Sequence, residues 1–192
     1  GFHTKLWDCR MELEDNSASL VLNYQSKHLE EGYPGNLDVT VTYRVTDDNT
    51  LHINFNAKTD KPTHINLTSH GYFNLSGFDD SIMEHKLMIN ANSYLETDEN
   101  RIPTGTLIEC YNTPLDFRHF MRLGDSILAT SGGIDHCFEL LNNGSIDNPA
   151  AILKHKPSGR SILIYTTQPG LQLYTGNSLD GTIKGHNETI YN

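Results

Sequence analysis

Between residues 37 and 46 apolar and polar residues alternate without a break: Leu37, Val39, Val41, Tyr43 and Val45 stand against Asp38, Thr40, Thr42, Arg44 and Thr46. Successive side chains of a strand point to opposite faces, so this run builds a strand with one buried face and matches no helix period. Asp47, Asp48, Asn49 and Thr50 then supply turn residues, after which Leu51, Ile53, Phe55 and Ala57 alternate with His52, Asn54 and Asn56. The pattern predicts an antiparallel hairpin. A second hairpin is expected where runs 151–155 and 161–167 flank Pro157, Ser158, Gly159 and Arg160. Further strands are expected at 19–25, 63–69 and 86–91, and one short helix over 117–128. Many strands with polar connections predict an all-β sandwich, here one domain over residues 1–192 with no linker.

Composition narrows the function classes. The 192 residues are 36% hydrophobic and 20% charged, ample for a folded core. Acidic residues outnumber basic ones 24 to 14, and a net charge of −10 repels a phosphate backbone, so nucleic acid is not an expected partner. No apolar run approaches the roughly 18 residues of a membrane helix, and no membrane association is expected. Cys9, Cys110 and Cys137 are odd in number and widely spaced, which favours neither a disulfide framework nor a zinc site and points to a reducing, cytoplasmic setting. Ten histidines include no HxH or HxxxH pair, so no metal is expected. Four N-x-S/T matches begin at Asn66, Asn74, Asn143 and Asn187 and are read as chance.

Three segments could carry chemistry. In 61–75, period two places His64, Asn66, Thr68 and His70 on one face and Ile65 and Leu67 on the other, a crowd of hydrogen-bonding groups equally compatible with a wet sheet face. Ser69 and His70 are neighbours on this run and point apart, which excludes a Ser/His/Asp hydrolase built on them. In 132–138, Gly132 and Gly133 permit an unusual backbone path and deliver Asp135 and His136 together. In 166–177, amide, hydroxyl and aromatic groups mix as they would in a site that holds a polyhydroxylated ring. The segment from Glu30 to Gly35 reads as a solvated loop.

Taken together, EEGYPGNL (30–37), NLTSHGYFNLSG (66–77), GIDHCFEL (133–140) and TTQPGLQLYTGN (166–177) resemble the aldose 1-epimerase family, block by block and in the family's order. The resemblance runs over essentially the whole chain. It implies a large antiparallel β-sandwich of the galactose mutarotase-like type, incomplete here, and the interconversion of α and β anomers of aldohexoses such as galactose and glucose without a cofactor. His70 matches the family's general acid, and the binding residues implied are His70, Gly71, Tyr72, Asp135 and Gln172; His136 is not the acid. Imidazole suits the role, since its unperturbed pKa of about 6.5 lets it give and retake a proton near neutrality. A carboxylate close by would favour its charged form, so Asp135 is expected to help hold His70 protonated. The family's glutamate base would follow Asn192, and its substrate-binding arginine and another histidine would precede Gly1, so the chain is expected to be the central portion of the domain and to have little activity alone. Glu188 is not assigned to the base. The other reading of the same residues is a non-catalytic sugar-binding or sugar-sensing relative. A monomer is expected.

Overall fold

The computed structural model describes residues 1–77, 81–141, 144–185, 188 and 190. Of the four N-x-S/T matches, those at Asn143 and Asn187 lie outside the described residues, as do Tyr191 and Asn192. The chain divides into two compact units, Gly1–Tyr72 and Phe73–Asn192.

The first unit is an antiparallel meander of β1 (Asp8–Glu14), β2 (Ser17–Ser26), β3 (Leu37–Thr46) and β4 (Leu51–Thr59), hydrogen-bonded in that order. The alternation at 37–46 does what its period requires. Leu37, Val39 and Val41 are buried, and Phe2, Trp7, Leu22 and Leu67 pack over them. The predicted hairpin is present in register, Val45 opposite Leu51 and Leu37 opposite Thr59. The loop from Glu30 to Gly35 is a short turn with Tyr33 exposed, and the Glu30 carboxylate accepts hydrogen bonds from the Tyr24 hydroxyl at 2.8 and 2.9 Å.

The second unit is a sandwich. One sheet has the order β11-β10-β5-β8, from β5 (Lys86–Ile89), β8 (Met121–Arg122), β10 (Ala151–His155) and β11 (Arg160–Ile164). The other runs β12-β9-β6-β7, from β6 (Ala91–Thr97), β7 (Pro103–Glu109), β9 (Asp135–Leu140) and β12 (Gly170–Tyr174). Both close on one core that holds Leu87, Ile89, Phe117, Ile134, Phe138 and Ala151. Every strand pair in both units is antiparallel.

Three expectations are corrected. The single strand at 86–91 is two strands in two sheets, because Asn90 donates to the Ala150 carbonyl on one side and accepts from the Leu141 amide on the other. The helix expected over 117–128 is α1 (Leu123–Ala129) only: Met121 and Arg122 pair with β5, and the Phe117 carbonyl accepts from the Ile89 amide, so the first residues are spent on sheet bonds. The stretch 63–69 is no strand. A strand needs a ladder partner, and among the described residues no neighbouring chain hydrogen-bonds along it.

Candidate functional site

Although 63–69 has no ladder, its alternation survives in part. His64, Asn66, Thr68 and His70 are exposed, and Leu67 packs on the β3 core while Ser69 accepts a hydrogen bond from the Tyr43 hydroxyl at 3.2 Å, but Ile65, expected beside Leu67, is exposed as well. The His70 ring lies face to face with Tyr72, centroids 4.9 Å apart and planes 23° from parallel. Gly71 between them is exposed. The first unit thus presents an exposed imidazole backed by a phenol ring.

In the second unit the site grows out of a glycine turn. Gly132 and Gly133 both have positive φ, 94° and 79°, and a Cβ on Gly133 would stand 2.0 Å from the Asn177 side chain. That close approach lets Asn177 donate to the Ile134 carbonyl at 3.0 Å, while the Ile134 amide donates to the Thr175 hydroxyl at 2.9 Å. The pinned Ile134 then launches Asp135 at the head of β9.

Asp135 pairs with Tyr174, and Cys137 with Gln172, so Asp135 and Gln172 share the face turned from the core. Gln172 donates through Nε2 to Asp135 Oδ1 at 2.8 Å. On the other oxygen, Oδ2, lies Nη1 of Arg101 at 3.4 Å, an ion pair in which the Asp135 side chain is 31% exposed and that of Arg101 62%. The arrangement is a carboxylate flanked by two hydrogen-bond donors at a solvent-facing surface, chemistry suited to hydroxyl groups.

His136 does not join Asp135. Adjacent residues of a strand face opposite ways, and the His136 ring packs edge-on against Tyr94, 5.3 Å between centroids, on the side of Phe138. Burial pushes its pKa below the usual value, with Asp135 opposing in part. The sequence expectation that the two arrive together is corrected by this parity. Glu188 is on the surface, where Lys184 donates to it at 2.6 Å.

Sequence reasoning missed Arg101. It sits in the turn between β6 and β7, and nothing in Glu99-Asn100-Arg101-Ile102 marks it as reaching another strand.

The family model for aldose 1-epimerase matches residues 1–191. The chain belongs to the aldose 1-epimerase family. It is 40% identical to the galactose mutarotase of Homo sapiens over 193 residues, covering 100% of this chain and 55% of that protein. With the aldose 1-epimerase of Escherichia coli (strain K12) the identity is 37% over 187 residues, 95% of this chain and 53% of the relative. Among solved structures, the galactose 1-epimerase from Lactobacillus acidophilus NCFM superposes with a TM-score of 0.83 at 30% identity, over 97% of this chain and 57% of that one. The chain therefore has the β-rich fold of these epimerases and spans about half the length of the curated relatives it matches.

Among the described residues no helix is long and apolar enough to cross a membrane. All three cysteines are free thiols; burial raises the pKa of Cys110 to about 11 and pushes that of Cys137 up as well.

Proposed function

We propose that the protein, in its full natural length, interconverts the α and β anomers of aldohexoses such as galactose and glucose, with His70 as general acid. His70 gives a proton to the ring oxygen as the bond from that oxygen to the anomeric carbon breaks, and a base takes the proton of the anomeric hydroxyl, leaving an open aldehyde. Rotation about the bond next to the aldehyde and the reverse proton transfers close the ring on its other face. Each step conserves charge and needs neither redox partner nor metal.

The observation that carries this reading is the Asp135 carboxylate held by Gln172 on an exposed sheet face, in a chain matched from end to end by one family model. Asp135 and Gln172 bind sugar hydroxyls, and His70, Gly71 and Tyr72 are assigned to substrate binding as well, the Tyr72 ring offering an apolar face to a sugar. The uninterrupted match over 1–191 also supports treating the two compact units as parts of one domain. Three free thiols support a cytoplasmic setting, and a net charge of −10 supports a protein that does not bind nucleic acid.

Polarimetry of freshly dissolved α-D-galactose with the full-length protein tests the proposal. Acceleration of the optical drift, and its loss by about 10² to 10⁴ in His70→Ala, is expected for the removal of a general acid. Galactose binding with no acceleration would instead make the protein a sugar binder.

A further inference from the structure

On the reading of Asp135 and Gln172 as sugar-binding residues, we propose that Arg101 is a third side chain of that site, and that the three together clamp a pair of adjacent hydroxyls.

The fold gives Arg101 little reason to be where it is. An ion pair this exposed contributes about 0–1 kcal/mol to stability. Yet its turn is closely built. The Asp98 carboxylate accepts from the amides of Asn100 at 2.8 Å and Ile102 at 2.9 Å, and the Arg101 amide donates to the Asp98 carbonyl at 3.0 Å. Inside that loop Arg101 itself takes a φ of 62°, a conformation that an L side chain with a Cβ enters at a cost. The outcome of this strained turn is a guanidinium aimed across β6 at the one carboxylate oxygen that Gln172 does not cover.

The donor and acceptor pattern identifies the ligand. A hydroxyl both gives and accepts a hydrogen bond, whereas an ionised carboxylate only accepts. A sugar held by Asp135 alone would leave its own oxygens without donors. Gln172 on Oδ1 and Arg101 on Oδ2 set a donor at each end of the carboxylate, giving the row donor, acceptor, acceptor, donor. Two neighbouring hydroxyls match that row, each giving its hydrogen to one carboxylate oxygen and accepting from the adjacent amide or guanidinium. Both donors have N–H groups beyond the one turned to Asp135, since a guanidinium carries five and an amide two. The class of ligand is therefore a sugar with an intact vicinal diol at this edge.

The test uses the full-length protein and its variants Arg101→Leu, Arg101→Lys and His70→Ala. Mutarotation is followed by polarimetry over a range of galactose concentrations, and galactose binding by calorimetry. Arg101→Leu is expected to raise KM and Kd about tenfold with kcat within about twofold, the loss of a charge-assisted hydrogen bond to substrate. Arg101→Lys should recover part of it, because one charged donor remains. The melting temperature should not move in either. Among monodeoxygalactoses, the one that binds wild type most weakly should lose that disadvantage in Arg101→Leu, since the diol clamp is already broken. Wild-type KM and Kd in Arg101→Leu, with His70→Ala inactive, would overturn the role of Arg101 and leave the proposed function standing. A wild type that neither binds nor mutarotates galactose would remove both.

Discussion

The two units handle the same alternating pattern with opposite results. In the second, two sheets face each other and the inward residues vanish from solvent, with Ile134 and Phe138 at 0% exposure. In the first, one face of a single meander is covered only at one end, where Phe2, Trp7 and Leu67 lie over Leu37, Val39 and Val41. At the other end of that same face Met11 and Leu13 are each 76% exposed, with the exposed Val45 and Leu51 in register with Leu13 and the exposed Leu20 opposite Met11. Period two therefore tells which residues face together. Whether that face becomes a core depends on what is laid against it.

The largest effect expected from this contrast is in the cores. Phe138 touches Tyr94 and Phe117 at ring separations of 6.1 and 5.9 Å, so Phe138→Ala opens a cavity that two sheets line. It should cost about 3–5 kcal/mol in urea denaturation. Leu13→Ala, on the open end of the first sheet, should stay within about 0.5 kcal/mol. A cost for Leu13→Ala comparable with that of Phe138→Ala would mean that the open face is covered in the working protein, and the contrast would break.

The same contrast explains what was legible in the sequence. Where alternation is long, as at 37–46 and 51–57, strand, turn and register followed from it. Six strands gave no such signal to the sequence reading: β1, β6, β7, β8, β9 and β12. Within β9, Phe138 and Leu140 face the core while Asp135 and Glu139 face out, but Cys137 on the outer side blurs the period. At 63–69 the period held except at the exposed Ile65 and the strand did not form, because a ladder requires a second strand and local sequence does not contain it. Family motifs brought His70, Asp135 and Gln172 forward as chemistry. Arg101 stayed hidden, since a loop residue reaches Asp135 only through the pairing of β6 with β9.

A second, smaller effect sharpens the comparison at the glycine turn that launches Asp135. Gly133→Ala forces an L side chain into a φ of 79° and drives a methyl group into Asn177. The expected cost is about 1–3 kcal/mol, together with weaker galactose binding, because Asp135 is two residues on. In Gly133→Ala/Asn177→Gly the clash is gone and the backbone strain stays, and Asn177→Gly alone gives the cost of its lost bond to Ile134, so thermal melts of the two single variants and the double variant separate clash from strain. Equal melting temperatures for wild type and Gly133→Ala would show that the turn is free to re-form around a side chain. No positive-φ glycine of the first unit leads into a proposed binding residue in this way.

The smallest expected effect is a dependence on pH confined to the second unit. His85 is fully buried, its ring stacked on His155 at 4.6 Å, and its Nε2 accepts the Leu75 amide at 2.9 Å. An Nε2 that accepts carries no hydrogen, so the ring is neutral with its hydrogen on Nδ1, and the Ile82 backbone beside the ring opposes the loss of charge only in part. Around it stand the His155 imidazole, hydrogen-bonded to Ser158, then Arg160, whose guanidinium donates to the Leu75 carbonyl, and Glu84 near His155. Burial first, then His155, hold the His85 pKa below its usual value. The unfolded chain thus binds a proton at about pH 6.5 that the folded chain refuses until lower pH. Its contribution to stability is present above about 6.5 and is lost as pH falls through the folded value. In the first unit the shifted acids are Glu30, Asp48 and Asp60, all held low by hydrogen bonds, chiefly to Tyr24, Thr46 and Asn36 respectively, and their contribution is lost only below about pH 4. Between pH 7 and 5, the amide-exchange protection of Leu75 should therefore fall while that of Val39 in β3 holds. His85→Gln, which keeps an acceptor without a titrating ring, should flatten the Leu75 response. Constant protection at Leu75 across that range in the wild type would show that His85 does not set the acid limit of its unit.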